Sequence, residues 1–183
     1  LGLPSGTRNP DASSAFERRG GWPHLSNIEA RQMARTIRFA AETDATQILD
    51  IYAPIVRDTA ISFEEEPPTR PEMAGRIRST LECYPWLACE EAGHVLGYAH
   101  AASFRSRPAY QWAVEVTVYV RPEAQRRGVA SALYRSLLGI LRLQGFINAL
   151  TGIALPNDPS VALHERFGFK PVGVLQDVGF KLT

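Results

Sequence analysis

The chain has 183 residues, of which 45% are hydrophobic and 21% charged, a composition typical of a single globular domain rather than a disordered segment. Its 20 Lys and Arg residues nearly balance its 19 Asp and Glu residues, so no basic field is available for bulk binding of nucleic acid. No apolar run approaches the roughly 18 residues that a membrane-spanning helix requires.

The first 35 residues differ from the rest of the chain. They mix Gly, Pro, Ser, Asn and Arg with few apolar residues, and they lack the apolar core of a secretory signal. We expect residues 1–35 to be a disordered or non-native extension, with Met33 as the natural start, and the folded domain to cover residues 36–183. Cys83 and Cys89 show neither a disulfide framework nor metal-ligand spacing, and they favour a reducing, cytoplasmic compartment without a metal site.

Strands and helices are predicted in a mixed order. The first half holds a strand at 36–40, a helix begun by Thr43 or Asp44, a loop at 61–63, a helix at 70–82, and strands at 86–90 and 95–102 around a tight turn. The second half holds a polar loop at 103–109, a strand at 114–120, a helix from 128 to about 144, a strand at 150–155, a helix that Asp158 caps, and a strand at 172–175. This order predicts a single α/β or α+β domain.

Residues 114–120 alternate strictly between two faces. The four valines 114, 116, 118 and 120 point one way, and Glu115, Thr117 and Tyr119 point the other. The valine face predicts core, and the opposite face is polar enough to line a site. Glu115 is therefore the best candidate for a general base, and a structural glutamate paired with an arginine is the alternative.

A basic turn, which we define as residues 125–131, leads from this strand into the next helix. A helix N-terminus leaves backbone N–H groups unpaired and favours an anion. Gly128 lets a phosphate approach the backbone, and Arg126 and Arg127 add positive charge. The turn therefore predicts a pyrophosphate site. Neither the Gly-Lys-Ser/Thr ending of a Walker loop nor a G-x-G-x-x-G pattern is present.

The segment Gln125-Arg126-Arg127-Gly128-Val129-Ala130 matches the Q/R-x-x-G-x-G/A signature of the GNAT acetyltransferase superfamily. More closely, the chain resembles the phosphinothricin and methionine sulfoximine N-acetyltransferase branch from residue 37 to residue 181. The segments that carry this resemblance, in chain order, are 61–64, 84–87, 104–110, 114–120, 155–161 and 164–169.

The resemblance implies a GNAT-like single domain with a mixed, mostly antiparallel sheet, flanked by helices and splayed at the strand that binds acetyl-CoA. It also implies a homodimer and direct acetyl transfer from acetyl-CoA to the amino group of a small amino-acid-like substrate, such as phosphinothricin or methionine sulfoximine. A non-catalytic acyl-CoA sensor is the alternative, and it would keep the basic turn without needing Glu115. A protein acetyltransferase would need an open peptide groove.

The resemblance also implies roles for individual residues. Glu115 would act as base, directly or through water, and His164 as a second catalytic or pocket-lining group, although a lone helical histidine is commonly surface or core. Either Tyr119 or Tyr110 could protonate the leaving thiolate or shape the pocket. The residues implied in coenzyme binding are Val118 and Val120 through their main chain, Gln125, Arg126, Arg127, Gly128, Val129, Ala130, Ser131, Asn157 and Ser160. For Asn157, a residue of the turn that enters the next helix is the alternative.

For the acceptor substrate, the resemblance implies a carboxylate site formed by Arg105 and Arg107, since a guanidinium binds a carboxylate through two parallel N–H groups. Phe63 and Tyr110 would form walls, with Thr117 beside them. Solvated loop arginines are the alternative.

The sequence departs from the branch at its end. The pattern implies a Trp-containing segment and a final strand after Gly179-Phe180-Lys181, whereas the given sequence stops at Thr183. Loss of that strand would expose a sheet edge and part of the substrate pocket. Either the sequence is truncated, or a partner covers the edge.

Overall fold

The structure is a computed structural model that describes residues 34–182. The predicted N-terminal extension therefore lies outside the described residues, apart from Ala34 and Arg35. Arg35 already takes part in the fold, because its Nη1 donates to the carbonyl oxygen of Arg127 at 2.7 Å.

Nine helices and strands are found in residues 34–182. In chain order they are β1 (Thr36–Phe39), α1 (Ala45–Asp58), α2 (Arg70–Leu81), β2 (Trp86–Glu91), β3 (His94–Ser103), β4 (Ala113–Val120), α3 (Val129–Leu143), β5 (Asn148–Leu150) and α4 (Asp158–Arg166). Short 3-10 turns lie at Glu42–Asp44, Pro108–Tyr110 and Pro122–Ala124. No helix among these residues is both long and apolar enough to cross a membrane.

The five strands form one open sheet in the order β1-β2-β3-β4-β5. The first four are antiparallel, and β5 lies parallel to β4, which confirms the predicted mixed, mostly antiparallel sheet. Ala92 (φ 52°) and Gly93 (φ 80°) join β2 to β3 in left-handed conformations. Two positive φ angles give a turn whose twist matches the strands on either side.

Apolar side chains bury both faces of the sheet. On one face, α3 presents a stripe at helical spacing that includes Leu133, Leu137 and Leu141, and this stripe packs against Val114 and Val116. The stripe and the valine face of β4 are thereby confirmed. On the other face, α1 and α2 cover a second cluster, whose members include Ile48, Met73, Ile77, Trp86 and Tyr98.

Two predicted strands are wrong. The strand expected at 150–155 is Asn148–Leu150 instead, and residues 151–155 leave the sheet without ladder pairing. The strand expected at 172–175 is irregular, and Val172 and Leu175 are 94% and 79% exposed. Apolar residues alone do not form a strand when no neighbouring strand pairs with them.

Two helix starts also differ in detail from the prediction. Asn157, not Asp158, caps α4, since its Oδ1 accepts from the backbone N–H of Ser160 at 3.3 Å. Asp44 precedes α1 as predicted, but its carboxylate makes no capping bond to the helix. It instead accepts from Arg38 at 2.7 Å and from the backbone N–H of Ala41 at 2.8 Å.

Candidate active site

The candidate site lies where β4 and β5 separate. Their pairing covers only Ala113–Glu115 with Asn148–Leu150, so the edge of β4 from Val116 to Val120 has no strand partner on the β5 side. We call the space between this edge and residues 151–157 the gap. An unpaired edge presents backbone N–H and C=O groups that an extended ligand can bind.

A pocket occupies the gap. Its walls come from the loop before α2, from β4 and α3, and from α4 with the segment that precedes it. Its lining residues are Ile61, Thr117, Val118, Tyr119, Tyr134, Thr151, Gly152, Ile153, Ala154, Asn157, Ser160 and His164. Six of these were candidate site residues from the sequence: Thr117, Val118, Tyr119, Asn157, Ser160 and His164. The fold therefore brings predicted catalytic, coenzyme-binding and substrate-binding positions together in one cavity.

His164 is one of the few buried polar residues among residues 34–182, with 5% of its surface exposed. Its Nδ1 lies 2.7 Å from the carbonyl oxygen of Ser160, and its Nε2 lies 2.7 Å from the hydroxyl of Tyr134. Burial lowers the pKa of His164, and the Ser160 carbonyl opposes this by raising it. The imidazole is thus held neutral in a fixed orientation.

Both tyrosines of the pocket are poor acids. Burial raises the pKa of Tyr134 and of Tyr119 well above the ordinary value of a phenol, because the phenolate loses its hydration. The Thr151 side chain opposes the shift at Tyr134. Tyr119 also packs near Tyr52 and Tyr98, with ring centroids 5.2 and 5.5 Å apart.

Glu115 lies on β4 two residues before the pocket-lining Thr117 and is not itself part of the lining. It is the last residue of β4 that pairs with β5, opposite Leu150, and it shares a face with the pocket-lining Thr117. Its side chain is exposed, and no arginine or lysine of residues 34–182 forms an ion pair with it. The alternative interpretation, a structural glutamate satisfied by an arginine, therefore has no support in the described part of the chain.

The basic turn follows β4 and ends at the N-terminus of α3. Arg126 (φ 56°) and Gly128 (φ 80°) adopt left-handed conformations, and Gly128 is the N-cap without any side-chain cap. Nothing lies within 4 Å of a Cβ built on Gly128, so the space beside this residue at the start of α3 is open. Gln125 of the same turn is exposed. A ligand with an anionic end fits this turn.

The two arginines of the basic turn differ. The Arg126 side chain makes no ion pair within residues 34–182, whereas Arg127 donates to Glu91 at 2.7 Å. The hydrogen bond from Arg127 is the main cause that lowers the pKa of Glu91, and Arg35 assists at 3.4 Å. Part of the Arg127 charge is therefore neutralised, and Arg126 is the better anion ligand of the two.

The remaining substrate candidates lie outside the pocket lining: Arg105, Arg107 and Tyr110 in the loop between β3 and β4, and Phe63 in the loop between α1 and α2. The Arg105 guanidinium lies 5.0 Å from the ring centroid of Phe104 and 5.9 Å from that of Tyr110. Arg105, Arg107, Tyr110 and Phe63 are all exposed. Stacking on two rings orients Arg105 while its N–H groups stay available.

Sequence reasoning missed Tyr134 and the segment 151–154. Tyr134 lies on the helix predicted as a core stripe, where its spacing resembles that of an ordinary buried residue. No periodicity marks residues 151–154, because they form the wall of a gap and belong to no helix or strand. A phenol at a buried helix position was the one available signal, since a buried hydroxyl needs a hydrogen-bonding partner.

Comparisons with known proteins all identify acetyltransferases as similar to this chain. Residues 37–182 match the acetyltransferase (GNAT) domain family. Phosphinothricin N-acetyltransferase of Streptomyces viridochromogenes is 40% identical over 145 residues, which are 79% of each chain. The L-methionine sulfoximine/L-methionine sulfone acetyltransferase of Salmonella typhimurium is 34% identical over 80% of this chain and 86% of its own.

Solved structures agree with these relatives. A GNAT superfamily phosphinothricin acetyltransferase from Sinorhizobium meliloti, crystallised with AcCoA, superposes with a TM-score of 0.77 at 36% identity. The match covers 81% of this chain and 82% of that one.

Proposed function

The chain belongs to the GNAT acetyltransferase family, and on that premise we propose that it acetylates the amino group of a small amino-acid-like molecule, with acetyl-CoA as donor. The observation that carries the proposal is the gap, where a pocket lined by candidate catalytic side chains lies beside an unpaired strand edge that leads to the basic turn. The relatives are named as acetyltransferases, which favours the enzyme over the acyl-CoA sensor.

In this proposal the groups that bind the coenzyme line the gap and the basic turn. The main chain of Val118 and Val120 lies on the unpaired edge and would bind the pantetheine arm, as Asn157 and Ser160 would from the opposite wall. The basic turn would hold the pyrophosphate through backbone N–H groups and Arg126. When bound, acetyl-CoA supplies an activated acyl group as a thioester.

Glu115 is the proposed base. An ammonium substrate must lose a proton before its nitrogen can attack, and an unpaired carboxylate on β4 can accept that proton directly or through a water. The exposure of Glu115 lets the proton pass on to solvent.

Arg105 and Arg107 are the proposed carboxylate site, with Phe63, Tyr110 and Thr117 around the acceptor. Support comes from the stacked position of Arg105 and from the small amino-acid-like compounds in the names of the relatives. We also propose a homodimer in a cytoplasmic compartment. Cys83 and Cys89 are free thiols, as such a compartment allows.

Thiol release from acetyl-CoA tests the proposal, with a panel of phosphinothricin, methionine sulfoximine, methionine sulfone, ordinary amino acids, a polyamine and a lysine peptide. We expect release with the amino-acid-like compounds and none with the peptide. The control is Glu115→Gln, which keeps the shape of the side chain but removes the base. Coenzyme binding without thiol release across the whole panel would favour the sensor.

A further inference from the structure

Tyr134 of α3 and His164 of α4 form a buried pair with a defined direction. The Nδ1 of His164 faces the carbonyl oxygen of Ser160 at 2.7 Å, and a carbonyl only accepts, so Nδ1 carries the proton. In a neutral imidazole Nε2 is then the acceptor. The Tyr134 hydroxyl, 2.7 Å from Nε2, must donate to it.

The Tyr134 oxygen has two lone pairs, of which the hydrogen bond from the Thr151 side chain occupies one, so the other can accept a proton. Both side chains line the pocket in the gap. Aromatic rings fix their orientation, since Phe169 meets the His164 ring edge to face at 5.2 Å and Phe167 meets the Tyr134 ring edge to face at 5.7 Å. The pair is thus held in a single arrangement inside the cavity where the acetyl group would be transferred.

We propose that Tyr134 and His164 act as a proton relay in acetyl transfer, a role that rests on the proposed function. Glu115 takes the first proton of the ammonium group. As the new C–N bond forms, the Tyr134 oxygen accepts the second proton from the substrate nitrogen, and the phenolic proton passes to Nε2 of His164. The N–H bond of the substrate and the original O–H bond of Tyr134 break. A new O–H bond on Tyr134 and a new N–H bond on Nε2 of His164 form.

The proton on His164 then leaves through Tyr134 to the leaving sulfur. The imidazolium passes its Nε2 proton back to Tyr134, and Tyr134 gives its proton to the sulfur that leaves as the C–S bond breaks. The relay ends in its starting state, with no redox change. The proton released through Glu115 is the one net proton of the reaction.

The electrostatics of the pocket suit such a relay. Tyr134 from α3 and Tyr119 from β4 are the titratable side chains that share the pocket with His164. The charged residues of α4 itself, Asp158, Glu165 and Arg166, are exposed. Burial lowers the pKa of His164 and raises that of Tyr134, so both enter the reaction neutral. A phenol this weak passes a proton on rather than keeping a charge.

Three variants test the relay: Tyr134→Phe, His164→Asn and the double variant. We expect each single variant to lower kcat about 100-fold, as loss of acid–base catalysis typically does, with the coenzyme Kd nearly unchanged. Because the two residues act as one unit, the double variant should be no slower than the slower single one. Tyr98→Phe, which removes another buried phenol on the opposite face of the sheet, is the control.

A second readout needs no turnover. ¹⁵N NMR of the imidazole in the ligand-free protein should show the proton on Nδ1. In Tyr134→Phe the pKa of His164 should rise, because the variant loses the hydroxyl that donates to the neutral imidazole, while burial continues to hold that pKa down.

An active wild type whose Tyr134→Phe variant keeps its kcat would overturn the relay and leave the proposed function intact. Independent, multiplicative losses in the double variant, or a proton on Nε2, would overturn it in the same way. A wild type that releases no thiol with any acceptor would overturn the proposed function and the relay together.

Discussion

Gly97 offers a test of how the fold positions the coenzyme site. It lies in β3 opposite Val120, below the start of α3. A Cβ built there would lie 2.8 Å from the carbonyl oxygen of Tyr119 and 3.0 Å from Cγ1 of Val129. Gly97→Ala therefore presses on the coenzyme-binding strand and on the first turn of the helix after the basic turn, without removing any catalytic group.

The size of the stability loss follows from the 2.8 Å distance between the added Cβ and the Tyr119 carbonyl oxygen. Backbone of β4 must move by about 0.6 Å to reach an ordinary van der Waals distance. Overpacking of this kind costs about 1–3 kcal/mol. For a domain of this size the Tm should fall by about 2–12 °C. If about 1.4 kcal/mol of the strain acts on the bound state, acetyl-CoA binds about tenfold more weakly.

Thermal unfolding and calorimetric titration with acetyl-CoA measure both effects. Gly139→Ala is the matched control, since Gly139 is exposed in α3 and nothing lies within 4 Å of its Cβ position. There the same substitution should stabilise the protein by about 0.5–1 kcal/mol through helix propensity. A Gly97→Ala protein with the Tm and the coenzyme affinity of the wild type would refute the reasoning.

Three further predictions concern charge. Gly128→Glu should abolish coenzyme binding in calorimetry, because the carboxylate repels the pyrophosphate. Gly145→Glu, which also places a side chain at positive φ in open space, is the control and should lose stability only. Equal coenzyme affinities of the two variants would locate the pyrophosphate elsewhere. Glu115→Gln should lower kcat with little change in the coenzyme Kd, and an unchanged kcat would remove Glu115 as base. Burial raises the pKa of Asp44, but its bonds to Arg38 and a backbone N–H outweigh that and leave it below 3.8. Asp44→Asn should therefore cost about 1–3 kcal/mol at pH 7, and the difference should shrink as the pH falls below about 3.8; a pH-independent difference in urea unfolding would contradict the lowered pKa.

The sheet was predictable because its signals are local. Strict alternation in β4 and the apolar stripe of α3 each follow from one periodicity, and the left-handed pair Ala92-Gly93 follows from turn chemistry. The basic turn was predictable for the same reason, because a glycine before an amphipathic helix defines a helix start. These features depend on neighbours in sequence.

The missed features depend on distant parts of the chain. Tyr134 and His164 are 30 residues apart, and only the packing of α4 against α3 makes them hydrogen-bonded partners. The strand expected at 150–155 is cut short where β5 diverges from β4, and no residue pattern within the segment marks that point. Arg127 is bound to Glu91 across the sheet, which its position in the basic turn did not indicate.

The acetylated product tests the central claim most directly. We would incubate the protein with acetyl-CoA and methionine sulfoximine and identify the product by mass spectrometry and NMR, with free coenzyme measured in parallel. The account predicts an amide at the amino nitrogen, formed in equal amount with free coenzyme A. Free coenzyme without any acetylated acceptor, or acetylation at another atom, would contradict it.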